Sequence, residues 1–78
     1  MDAIRAARCV FADVWKLYVK YAVTPHVGHT GDPNLYWHNL AVEADRVAQR
    51  WPCALTEALV QAVIEEHARR DLNAQEGE

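Results

Sequence analysis

Asp32-Pro33-Asn34-Leu35-Tyr36-Trp37-His38-Asn39-Leu40-Ala41-Val42-Glu43-Ala44-Asp45-Arg46-Val47-Ala48-Gln49-Arg50-Trp51-Pro52 is bounded by proline at both ends and periodic in between. The Asp32 carboxylate can accept from orphan helix amides, and Pro33 has no amide to orphan, so the pair is a strong helix start. Tyr36, Trp37, Leu40, Ala41, Ala44, Val47, Ala48 and Trp51 fall within an arc of about 140° at 3.6 residues per turn. Asn34, His38, Asp45, Arg46 and Gln49 face away. Pro52 pushes Trp51 out of the α region, so the helix ends there. This stretch predicts a helix over 33–50.

The flanking segments repeat the pattern. From Ala3 to Ala22 there is no Pro or Gly. Ile4, Ala7, Phe11, Val14, Tyr18 and Tyr21 share one side of a helix, widened by Val10 and Leu17 on one edge and by Trp15 on the other. Arg5, Arg8, Asp13, Lys16 and Lys20 lie opposite. Between Val23 and Asp32, one Pro and two Gly rule out helical continuation.

A third helix is expected over 53–70. Leu55, Leu59, Ala62 and Val63 form one apolar flank, Val60 and Ile64 another, and His67 sits at the centre of an arc of about 200°. Glu65–Arg69 and Glu66–Arg70 are acid-first i,i+4 pairs. Residues 73–78 read as a frayed polar tail. The expected fold is all-α: a single helical domain over 1–72, a compact three-helix unit with helices at about 3–22, 33–50 and 53–70, packed as a homo-oligomer.

Bulk properties narrow the functional classes. A chain of 78 residues with 51% apolar content can form one core. A core that small gains only about 3–5 kcal/mol, which favours a second subunit. The net charge of −3 argues against a protein that grips duplex DNA over much of its surface. No apolar run approaches a bilayer-spanning length, so no membrane partner is expected. The opening residues carry no secretion signal, and a cytoplasmic location is the expectation. Cys9 and Cys53 match no zinc or redox spacing and read as free thiols.

His26 and His29 form a His-x-x-His pair with Asp32 close behind, a ligand set zinc accepts, but zinc in small domains recruits thiolates and neither Cys is near. A polar surface loop with no cofactor is the preferred reading. No phosphate loop, nucleophile elbow or His-Glu-x-x-His is present, so no enzyme is expected. The wide apolar arc of the third helix and the Leu35/Val42 pair on the polar side of the second point to a homo-oligomeric contact. That contact is assigned to Val60, Val63, Ile64 and His67, with Leu35 and Val42 as a secondary patch. His67 reads first as an interfacial or core histidine bonded to a backbone carbonyl or a tyrosine; its other reading is a titrating group within the subunit contact. The alternative is a nucleic-acid accessory protein using Arg5, Arg8, Lys16 and Lys20, beside which Trp15 could stack on a base.

The stretches 36–51, opening with Tyr36-Trp37 and closing on Trp51, and 53–66, from Cys53-Ala54-Leu55 to Glu65-Glu66, resemble small uncharacterised helical proteins of prophage and mobile-element regions in Gram-positive bacteria. The resemblance implies an accessory role in a mobile element and carries over no site residue. The expected function is a non-catalytic interaction and assembly module whose partner is itself or another protein.

Overall fold

The computed structural model describes residues 3–28 and 31–76. Three helices follow in order: α1 (Ala3–Lys20), α2 (Pro33–Arg50) and α3 (Ala54–Glu76). Among the described residues there is no strand, and each helix packs on the other two. Asp13 meets Arg50 and Trp51, and Lys20 meets Glu43, so α1 and α2 run antiparallel. His67 and Arg70 reach the C-terminal end of α1, so α3 runs alongside α1 in the same direction.

The boundaries of α2 follow local physics. Asp32 is extended at the N-cap and accepts from the Asn34 amide at 2.9 Å, with Pro33 in the first turn. Trp51 leaves the helical region, its amide still bonded to the Val47 carbonyl. Cys53 precedes α3 as its cap, its carbonyl accepting from the Glu57 amide. The third helix runs past Arg70 to Glu76, through 73–76 where a frayed tail was expected, and Asp71 is anchored from outside the helix.

The core comprises Val10, Val14, Leu17 and Tyr21, then Tyr36, Leu40 and Ala44, then Val60 and Val63. In α1 the buried row is therefore 10-14-17-21, the edge of the expected face rather than its centre. Ile4, Phe11 and Trp15 are exposed. A unit this narrow, with extents of 48 × 20 × 16 Å, can bury one stripe per helix. The branched and aliphatic edge of α1 takes that place.

The third helix departs further from its reading. Its buried stripe is Thr56, Val60, Val63, His67 and Asp71. Leu55 and Ala62 of the expected apolar flank are exposed. Val60, Val63 and His67 are buried inside this chain, and Ile64 packs against the same core. Val60, Val63 and His67 are thus not accessible to a second subunit, and Ile64 is half-buried. The centre of the wide arc of α3 faces two neighbours, α1 and α2, while its Leu55 and Ala62 edge stays exposed. The acid–base pairs also re-sort. Arg69 binds Glu66 one turn back, Glu65 accepts from Gln61, and Arg70 turns inward to the Ala22 carbonyl and His67.

Candidate functional site

One region explains where the histidines go, a second holds sequence-selected residues that remain accessible, and a third is an apolar face on α1. The polar anchor between α3 and the end of α1 comes first. His67 is fully buried. Its Nε2 lies 3.1 Å from the Tyr18 carbonyl, and its Nδ1 lies 3.2 Å from an Arg70 guanidinium nitrogen. Arg70 can only donate, so Nδ1 accepts and Nε2–H donates to Tyr18. This is a neutral imidazole satisfying a carbonyl that the end of α1 leaves orphaned. Burial pushes the His67 pKa below its ordinary value, partly opposed by the bond to Tyr18.

One turn on, the Asp71 carboxylate receives the His26 amide at 2.6 Å and meets the His26 ring at 2.9 Å. Burial would raise the Asp71 pKa, but the two His26 contacts outweigh it and hold the carboxyl below its usual range. The Thr24 hydroxyl is buried facing this carboxylate, which it helps keep charged, although it lies outside hydrogen-bonding geometry. Thr24 to Val27 forms a turn with Pro25 in its second position, closed by the Val27 amide on the Thr24 carbonyl at 2.9 Å. Gly28 follows at φ +130°, a conformation that favours glycine. Residues 24–28 are thus docked on α3 through His26. His26 serves as a strut and Asp32 as a helix cap, while His29 lies outside the described residues. Among the described residues, no three His, Cys, Asp or Glu side chains gather where they could hold a metal.

The second region is the seam between α1 and α2. Lys20, Tyr21, Gly31, Leu35, Tyr36, Asn39, Val42, Glu43 and Arg46 line most of a cleft of about 590 Å³, so Leu35 and Val42 do stay at the surface. Glu43 binds Lys20 beside Tyr21; burial would raise its carboxyl, but these neighbours hold it below the usual range. Burial and the neighbouring Glu43 push the Tyr21 phenol up to about 12. Along the same seam, Lys16, Lys20, Arg46 and Arg50 alternate with Asp13 and Glu43. The four expected phosphate contacts, Arg5, Arg8, Lys16 and Lys20, are all exposed on α1. Lys16 and Lys20 also line this seam.

The third region was not selected from sequence as a site. Ile4 is 78% exposed, Phe11 53%, Trp15 65% and Val19 52%. They lie on one side of α1 along its whole length. Trp15 stacks on Tyr18 at 6.0 Å between centroids, and Tyr18 is backed by the His67 ring at 4.6 Å. Phe11, Val14, Trp15, Tyr18 and Val63 enclose a shallow hollow of about 230 Å³. The available signal was the breadth of the apolar arc on α1, more than the core could cover.

No helix among the described residues is long and apolar enough to cross a membrane. No family model matches the chain, and neither a curated protein nor a solved structure matches it.

Proposed function

We propose that this protein is a non-catalytic helical interaction module that associates with itself through the outer face of α1. The observation that carries this reading is the exposed row Ile4, Phe11, Trp15 and Val19. Isolated surface hydrophobics are ordinary. Two large aromatics and two branched aliphatics in one row, on a chain with so small a core, are a contact surface. Covering them would remove on the order of 400 Å² of apolar area per copy, taking about 150–250 Å² for a whole aromatic side chain. At about 25 cal/mol per Å² that is about 10 kcal/mol gross per copy. Two copies together exceed the association cost of about 4–15 kcal/mol. The contact moves from α3, where the residues are buried, to α1. An accessory role in a mobile element rests on the resemblance of 36–51 and 53–66 alone.

Sedimentation velocity at micromolar concentration tests this reading. The wild type should sediment above its monomer mass of 8.9 kDa, and Trp15→Glu should return it to that mass with helicity unchanged. A wild type that stays monomeric across the concentration range removes the reading.

Nucleic-acid contact is the second reading, favoured by the Lys16, Lys20, Arg46 and Arg50 seam. It ranks lower because Lys20 and Arg50 are already paired with Glu43 and Asp13, which offsets the attraction for phosphate. Salt-sensitive duplex binding lost on Lys16→Glu and Arg46→Glu would reverse the order.

A further inference from the structure

We infer that two copies pack their α1 helices antiparallel, with Ile4 of each seated in the hollow at the C-terminal half of the other. This rests on the self-association proposed above and adds its geometry. Ile4, Arg8, Phe11, Trp15 and Tyr18 are spaced 4, 3, 4 and 3 residues apart. That is an a/d seam of the kind along which two helices meet. Within it, Phe11, Val14, Trp15 and Tyr18 stand at i, i+3, i+4 and i+7, the four positions that make a hole for a knob from a facing helix. Val63 of α3 closes the floor. The hole is preformed, because Tyr18 is held between Trp15 and the buried His67 ring.

The knob must come from outside this copy. Ile4 suits it in size and apolarity and is the most exposed large hydrophobic residue of the row. The hole centre, between Val14 and Trp15, lies about 15 Å along the axis from Ile4 at 1.5 Å per residue. A symmetric parallel pair keeps equal residues level and cannot bridge that offset. An antiparallel pair does so when Ile4 of one copy faces Trp15 of the other. Arg8 then faces Phe11, and the two-fold axis passes beside Cys9 and Val10.

The layers agree with this register. Each antiparallel layer sets a slimmer side chain against an aromatic one, and the Arg8 guanidinium lies over the Phe11 ring of the second copy, a favourable cation–π placement. The parallel arrangement would stack Arg8 on Arg8 and Trp15 on Trp15. With its flanking residues, the antiparallel contact covers about 1,000 Å² in total, at the lower end for a specific interface. The dimer is therefore of moderate strength and dissociates on dilution.

Spin labels on Lys20→Cys, in a Cys9→Ser/Cys53→Ser background, read the direction. Position 20 lies away from the seam, so the label leaves the contact intact. In the antiparallel register the two labels sit about 30–35 Å apart along the axis at 1.5 Å per residue. A parallel pair would hold them within about 20 Å. Ile4→Ala should weaken the dimer about tenfold, and Trp15→Glu about a hundredfold or more, each with the monomer's circular dichroism unchanged. A dimer with short label separation, or one indifferent to Ile4→Ala, overturns this geometry while leaving self-association through α1 standing. A dimer that survives both Trp15→Glu and Phe11→Glu overturns the α1 face itself, and an absence of dimer removes both.

Discussion

Replacing His67 with Phe isolates the polar work of the buried imidazole, because a six-membered ring retains most of the volume and the stacking on Tyr18. The substitution removes the Nε2–H donated to the Tyr18 carbonyl and the Nδ1 acceptor used by Arg70. Arg70 keeps its bond to the Ala22 carbonyl, so the principal loss is the Tyr18 carbonyl left buried without that donor. A buried group stripped of its partner costs about 1–3 kcal/mol. In a domain of this size 1 kcal/mol moves the melting temperature by about 4–8 °C. His67→Phe should therefore melt about 5–20 °C lower at pH 7.5, followed by circular dichroism at fixed protein concentration. The pH dependence gives an independent check. The folded-state pKa of His67 is depressed, so folding favours the neutral ring. That stabilisation is fully present above the unfolded value of about 6.5 and is lost as pH falls from there through the folded value. The groups nearest the ring are Tyr18 on α1 and Glu66 and Arg70 on α3. The positive Arg70 opposes protonation and Glu66 favours it. Between pH 7.5 and 5 the wild type should lose more stability than His67→Phe does. Equal melting temperatures at pH 7.5, or parallel pH profiles, would refute the assignment of His67 as a neutral donor to the end of α1.

Asp71→Ala should release the 24–28 turn from α3, since both oxygens that hold His26 vanish, while Arg70 still holds Ala22. Amide exchange at His26 and Val27 should accelerate while Leu40 stays protected. The depressed Asp71 pKa adds stability that is present above the unfolded carboxyl value near 3.9 and lost as pH falls through the lower folded value. The variant should therefore be less stable than wild type by a constant amount near neutral pH, and the gap should narrow in strong acid. Cys53 should react with iodoacetamide faster than Cys9. It is exposed at the start of α3, where the Thr56 hydroxyl and the first amides hold its thiol below the ordinary value, as helix N-termini do. Equal rates for the two thiols would contradict that environment.

The number of helices and the ends of α2 were decided by local chemistry, and so were legible in sequence. An Asp side chain before Pro can cap a helix in any context, and Pro52 excludes the α region at Trp51 whatever packs nearby. The candidate surface was legible only as an excess. The apolar arc of α1 is wider than its buried row, but periodicity places a face without saying which edge meets the core. The tertiary structure made that choice, turning Val10, Val14 and Leu17 inward and leaving Phe11 and Trp15 outside. It also gave α3 a buried stripe that includes Thr56 and Asp71, which no hydropathy pattern marks as interior, beside His67 at the centre of the apolar arc. The reason is that the end of α1 and the turn after it carry backbone groups needing partners. Only when α3 runs alongside can an imidazole donate to the Tyr18 carbonyl, a guanidinium reach Ala22 and a carboxylate receive His26. The positions that reading assigned to a subunit contact on α3 became the inside of one chain because two neighbouring helices, rather than a second subunit, were there to cover them.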